Sequence, residues 1–266
     1  MTMKKAFPAE FVYQVFSLLI AFILVHALYV TLIRPQADAF MRQEAANMQA
    51  DPAYVQQRSF FVVIKDYEQE SCFVLMLWAL SILVYKGRAV YGQQKLLELD
   101  LLKLPENLPI GPEDTRELAG RLQSLPEADR ESLLPRALLT AIERFGATRN
   151  VQDVSTAARD ICDSEGERLE SELSIIRYIA WAIPSVGFIG TVRGIGNALG
   201  QAHRAVEGDI TGVTASLGVA FNSTFIALVI SIVLMFFVHQ LQLMQERLVL
   251  DSERYVDRWM VRRMKS

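Results

Sequence analysis

Residues 186–202 read VGFIGTVRGIGNALGQA, five glycines, one threonine and one arginine among mostly apolar neighbours. Two chemistries suit such a stretch. A phosphate cradle needs a strand, a glycine turn and then a helix whose free N–H groups meet the anion. Here no strand precedes the glycines, and the Gly-Lys-Ser/Thr ending of a Walker loop is absent. Gly194, Gly196 and Gly200 only approach the dinucleotide spacing. The alternative is close helix packing: Gly190 and Gly194 are four apart, as are Gly196 and Gly200. Small residues at that spacing form a groove that admits another helix.

Polar residues within the apolar runs carry the other chemistry. Thr191 lies in the middle of one run, and Asn222, Ser223 and Thr224 lie in the next. If the turn between the two runs is centred near 207–208, Thr191 and Thr224 sit at the same depth of an antiparallel hairpin. Several copies in a ring would turn that level into a polar girdle. Arg193 is the costly residue, since a charge at mid-membrane costs ~2.5–3.5 kcal/mol on insertion scales and marks a function or a partner. Glu68 and Glu70 are its candidate partners within the chain. Neither glycine-bearing run nor its successor contains Asp or Glu at depth. A proton path uses a carboxylate that loads and releases H⁺, so here that carboxylate is expected from another polypeptide.

The elements that must position these residues are membrane helices. The chain has 266 residues, 52% of them hydrophobic, and a positive mean hydropathy of +0.22. Residues 11–33 carry no Asp, Glu, Lys or Arg, and neither do the thirty-six residues between Asp209 and Glu246. Crossing the hydrocarbon takes roughly 20 apolar residues. The reading is an all-α integral membrane protein with four spans, at 11–33, 71–86, 176–202 and 212–240. The first is read as a retained helix rather than a cleaved signal, because its apolar run exceeds a signal core. The second is the shortest: residues 71–85 rise only ~22 Å as a helix.

Basic residues set the orientation. Lys4 and Lys5 precede the first span, Lys86, Arg88 and Lys95 follow the second, and six Arg or Lys from Arg247 to Lys265 follow the fourth. Residues 1–10, 87–175 and 241–266 therefore belong to the cytoplasmic side, and the connections 34–70 and 203–211 to the outer side. Within 87–175, Ser124-Leu125-Pro126-Glu127 suggests a capping box opening the helix that holds LLPRALLTAIERF, with a kink at Pro135. PENLPIGP at 105–112 reads as a loop. From Val154 the stripe Ala158, Ile161, Leu169, Leu173, Ile176 keeps helical spacing and runs into the third span. A second stripe, Leu241, Met244, Leu248, Tyr255, Trp259, follows the fourth span, and the two stripes are expected to pair.

Other functions find little support. A net charge of −3 offers no basic face for nucleic acid. The two cysteines and three histidines show no metal-ligand spacing, and no nucleophile–base pair or cofactor motif points to an enzyme.

Pro184-Ser185-Val186-Gly187-Phe188-Ile189-Gly190-Thr191-Val192-Arg193-Gly194-Ile195 resembles the third-span signature of the MotA/TolQ/ExbB proton-channel family, P-x-x-G-L-L-G-T-V-x-G-I. Ala220-Phe221-Asn222-Ser223-Thr224-Phe225-Ile226-Ala227-Leu228 resembles its fourth-span signature, A-L-x-x-T-x-x-G-L, with Phe221 replacing Leu and Ala227 replacing Gly. The resemblance covers about residues 150–250. It implies a homopentamer in the bacterial inner membrane around a single-span partner of the MotB/TolR/ExbD kind. That partner carries the membrane Asp, and flow of H⁺ or Na⁺ drives rotation. It also implies pore-lining positions at Thr191 and Thr224, accompanied by Asn222 and Ser223. Pro184, Gly187, Gly190, Gly194, Gly196, Gly200 and Ala227 then shape and pack the helices, and no cofactor beyond the permeating ion is expected. Arg193 departs from the bulky residue common there, so it is expected to face a neighbouring subunit, lipid or the partner rather than the pore. Four spans resemble the flagellar-stator branch more than the three-span one. The contrasting reading is a passive scaffold or receptor whose glycine-rich hairpin only packs.

Overall fold

The structure is a computed structural model and describes residues 9–51, 54–55, 57, 59–102 and 109–264. Lys4, Lys5, Lys265 and the first part of the expected loop at 105–112 lie outside the described residues. The elements are α1 (Ala9–Leu28), a π-helical turn (Tyr29–Ile33), α2 (Arg34–Ala50), α3 (Phe60–Ile64), α4 (Tyr67–Leu97), α5 (Thr115–Gln123), α6 (Glu127–Arg130) and α7 (Leu133–Thr148). There follow α8 (Val151–Glu172), α9 (Ser174–Gly200), α10 (Ala202–Val206), α11 (Thr211–Trp259) and a 3₁₀ turn (Val261–Arg263). Four helical runs among the described residues are long and apolar enough to cross a membrane: Glu10–Ala50, Tyr67–Leu97, Val151–Gly200 and Thr211–Arg263.

Two helices run past the membrane spans read from the sequence. The helix of the first span continues beyond residue 33 through α2 to Ala50. Pro35 can donate no helical hydrogen bond, and the wider π turn ends two residues before it. The second apolar helix starts at Tyr67, so Glu68, Gln69 and Glu70 form its first turn. Acidic residues there complement the positive end of the helix dipole. At 31 residues, α4 has ample length for a crossing.

The chain divides into two compact units. The apolar unit combines Met1–Leu83 with Ile175–Phe237. Within it α1 is tied to α4 by polar tips of aromatic residues: Tyr13 Oη donates to the Ser81 carbonyl (3.1 Å), and Trp78 Nε1 donates to the Gln14 carbonyl (2.9 Å). α9 and the first half of α11 form a hairpin. Its turn contains Gly208 at φ +96°, a left-handed conformation that a side chain would strain.

The polar unit combines Val84–Ser174 with Val238–Ser266. Leu134, Leu138, Ala141, Ile142 and Phe145 recur every three or four residues on α7 and are no more than 2% exposed. On α8, Val154, Ala158, Cys162 and Leu169 are buried at spacings of four and seven, and on α11 Leu241, Leu248 and Val256 at seven and eight, all no more than 5% exposed. Arg159 of α8 pairs with Glu253 of α11 at 3.1 Å, and Val249 packs over Gly166, so the helices that carry the two stripes meet. A chain of alternating charge runs from α4 to α7: Lys86–Glu172 (2.9 Å), Glu172–Arg168 (3.6 Å), Arg168–Glu165 (2.6 Å) and Glu165–Arg136 (3.3 Å).

The expected capping box at 124–127 is not formed. α5 ends at Gln123, the hydroxyl of Ser124 just after it donates to the Arg121 carbonyl (2.6 Å), and α6 separates it from α7. Ser132 is the residue before α7, which places Pro135 in the first turn. An N–H there has no helical acceptor, so the proline removes nothing and the expected kink has no cause. The break between α8 and α9 is a single residue, Leu173.

Candidate functional site

The hairpin of α9 and α11 is built on glycine facing small residues. A Cβ at Gly187 would lie 2.6 Å from the Ala227 Cβ, and one at Gly194 2.7 Å from the Ala220 Cβ. Gly190 is covered by Ser223 and, on its other side, by Glu68, whose Cγ would stand 3.1 Å from an added Cβ. The groove therefore uses Gly187, Gly190 and Gly194, one face at spacings of three and four. Gly196 and Gly200, expected to form a second packing pair, meet nothing within 4 Å of such a Cβ. They lie on another face of the helix, which the described residues leave open.

Close approach brings the hydroxyls together. Thr191 and Thr224 hydrogen-bond to each other across the hairpin, pairing about residue 207 as their equal depth predicts. Thr191 Oγ1 also reaches the carbonyls of Gly187 (3.3 Å) and Ala220 (3.1 Å), and Thr224 Oγ1 donates to the Gly187 carbonyl (3.1 Å). Two hydroxyl protons thus serve several acceptors, and each oxygen keeps a lone pair for another donor. Both threonines are half-buried, as is Asn222. Ser223 is 1% exposed, faces Gly190 and donates to the Val219 carbonyl (2.8 Å), so within this chain it packs the hairpin.

Pro184 sits inside α9 and has no N–H, which frees the carbonyl of Ala180 one turn earlier. Ser231 of α11 supplies the missing donor: its hydroxyl reaches that carbonyl at 3.0 Å. The sequence reading passed over Ser231. The signal that could have found it is a hydroxyl in the partner helix one helical turn beyond Ala227.

Of the two carboxylates considered for Arg193, Glu68 is the partner. Arg193 Nη2 stands 2.7 Å from Glu68 Oε2, with the glutamate side chain 10% exposed. The charge of α9 is thereby turned toward the first turn of α4. Glu70 is held by two other residues, Arg34 and His26, whose Nδ1 is 2.7 Å from Glu70 Oε1. The Arg34 guanidinium also lies over the Tyr67 ring, 4.3 Å from its centroid. His26 and Arg34 were not singled out from sequence, because each reaches Glu70 from a helix far away in the chain. Just before α4, burial pushes the Asp66 carboxyl upward, against the pull of Lys65 and Arg193.

Neither the curated proteins nor the solved structures contain a match to this chain. The family model described as MotA/TolQ/ExbB proton channel family matches residues 129–254. That range takes in α7 to α10 and most of α11, and with them every residue of the glycine hairpin. Glu68, Glu70, Arg34 and His26 lie outside it. With four apolar helices and this match, the chain is a multi-pass membrane protein that carries, over residues 129–254, a domain of the MotA/TolQ/ExbB proton channel family.

Proposed function

We propose that this protein is the ring-forming subunit of a proton or sodium channel in the bacterial inner membrane, coupling ion flow to mechanical work around a single-span partner. In this reading five copies surround the partner, both termini and the polar unit are cytoplasmic, and the partner's membrane Asp carries the ion. The observation that carries the reading is the Thr191–Thr224 hydroxyl pair, at one level of a hairpin with no carboxylate of its own in α9 or in α11 before Glu246. A carboxylic acid arriving at that level finds lone pairs to accept its proton in a hydrogen bond. An ionised carboxylate finds hydroxyl donors that rotate between carbonyl and acid. The exposed apolar side chains of α9 and α11, such as Phe188, Val192, Phe221 and Phe225, are available to lipid and to neighbouring copies.

The satisfied state of the threonines favours a second reading. Each hydroxyl already has acceptors within its own chain, which a passive, tightly packed scaffold would also require. Co-purification identifies the partner, and ion flux into liposomes holding the complex separates the two readings. A channel loses flux on Thr191→Val or Thr224→Val while the complex stays assembled. Unchanged biological activity of both variants, with no partner-dependent flux, would establish the scaffold.

A further inference from the structure

A groove of about 560 Å³ runs in the polar unit between α8 and the C-terminal end of α11. Four guanidinium groups line it: Arg159 from α8, Arg254 and Arg258 from α11, and Arg262 from the 3₁₀ turn. Arg254, Arg258 and Arg262 follow one another at intervals of four. Ser155 and Arg159 are likewise one turn apart on α8, while Arg262 comes from the 3₁₀ turn beyond the end of α11. The floor includes Ala158 and Val256, 4% and 1% exposed.

Two carboxylates also line the groove. Glu253 is held by Arg159 at 3.1 Å and Asp257 by Arg262 at 2.8 Å. Four arginines against two carboxylates leave an excess of two positive charges. Arg254 leans outward to Asp251 at 3.4 Å. Among the described residues Arg258 makes no ion pair, and this is the cation with its full charge to offer.

We propose that this groove binds a phosphate-bearing small ligand, of the pyrophosphate or nucleotide class, between Arg159 and Arg258. Guanidinium forks match phosphate oxygens two at a time, and the volume lies within the range of small-ligand sites. A surplus of two charges suits a compact polyanion, and the two wall carboxylates oppose a long acidic segment. A free ligand is favoured over a lipid headgroup, because Arg258 lies twelve residues beyond Glu246, where the charge-free stretch ends, or ~18 Å of helix. The inference stands apart from ion conduction, and neither depends on the other.

The test is calorimetric titration of the full-length protein in detergent micelles with pyrophosphate, ATP and orthophosphate at low salt. The expected result is saturable binding of one ligand per chain, weakened about tenfold or more by Arg258→Gln. Glu253→Gln gives the opposite sign: freeing Arg159 from its carboxylate tightens binding, whereas on a merely solvated surface it changes nothing. Pyrophosphate binding as tightly as ATP identifies the phosphates alone as the ligand chemistry, and ATP binding more tightly identifies a nucleotide. Arg159→Gln also removes a bridge between helices, so thermal melting accompanies it, and Arg258→Gln carries the test if the former unfolds. Absence of saturable heat with all three anions overturns the proposal. So does binding that Arg258→Gln leaves intact, or a glutamate-rich peptide that displaces the anions at lower concentration.

Discussion

In the apolar unit α9 and α11 meet on glycine, alanine and serine, whereas in the polar unit α7 and α8 carry leucine, isoleucine and phenylalanine inward. Both pairs show helical periodicity, yet the forces differ. In water, removing large apolar side chains from solvent drives association. In lipid that gain is absent, and helices associate through close van der Waals contact and interhelical hydrogen bonds. At the glycine level the hairpin accordingly places its large side chains on the outside, where Phe188, Val192 and Phe221 are more than half exposed. Between α9 and α11 that level keeps bare backbone and hydroxyl groups, whereas Ile176, Ile179 and Ile183 toward the start of α9 are buried.

The contrast is broken most severely in the polar unit. Phe145 is fully buried, and Phe145→Ala is expected to cost about 3–5 kcal/mol, as large aromatic truncations in well-packed cores do. A thermal melt of the purified protein reads it directly. Loss of less than about 1 kcal/mol, well under that range, would mean that α7 is not held by its apolar face. In the hairpin the damaging direction is reversed, from small to large. Gly194→Leu forces side-chain atoms against the backbone of Ala220 and Ser216 and is expected to cost about 1–3 kcal/mol or more. Gly196→Leu, on the open face, leaves the melt of the single chain unchanged. If it nevertheless alters the oligomer on size-exclusion chromatography, the open glycine face serves contacts between chains.

Charge separates the units again. Glu68 and Arg193 pair in the apolar unit, where either one left alone is expensive. Glu68→Gln or Arg193→Leu alone is expected to lower stability by about 1.5–3 kcal/mol, the worth of a hydrogen bond to a charged group. The double variant recovers part of that loss. Strict additivity in the cycle would show that the two residues do not interact. The same cycle between Arg193 and Glu70 is expected to be additive, since Glu70 is held by Arg34 and His26.

Much of this was legible because membranes impose simple rules. Charge-free length located four spans, and equal distance from the turn brought Thr191 opposite Thr224. Glu68 and Glu70 could not be told apart from sequence. Their choice of partner depends on the rotation of α4 and on where the π turn at Tyr29–Ile33 directs Arg34, which no local pattern encodes. The glycine spacing alone could not say which face meets α11, for a related reason. Gly190/Gly194 and Gly196/Gly200 share the same interval, but the partner helix can occupy only one face, and Gly187 completes that face. At Ser124 a cap sequence was present, but the apolar periodicity that must follow a helix start begins only at Leu133.

Cys162 offers a pH-dependent version of the comparison. It lies in the polar unit, 1% exposed, and burial pushes its thiol from 9.0 up to about 11. A thiol whose pKa is raised by folding stays protonated while the unfolded chain ionises. Its contribution to stability is therefore complete below about pH 9 and declines as pH rises toward about 11. Cys162→Ser is expected to flatten that part of the pH–stability curve. A melt profile across that alkaline range with the same slope in both proteins would assign the decline to other groups.

The smallest expected effect lies at Ser231, and it tests the hairpin where proline interrupts its helix. Ser231→Ala leaves the Ala180 carbonyl without its donor, because Pro184 has no N–H to return to it. Interhelical hydrogen bonds in membranes are worth about 0.6 kcal/mol on average and at most about 1.7, so the melt is expected to fall by that order. Pro184→Ala supplies an N–H for the same carbonyl, and in that background Ser231→Ala should cost less. Equal cost in both backgrounds would mean that Ser231 stabilises the hairpin by its volume alone. A smaller cost in the Pro184→Ala background ties the serine to the proline. The two residues would then form one device that lets α9 carry a proline through the apolar unit without an orphaned carbonyl.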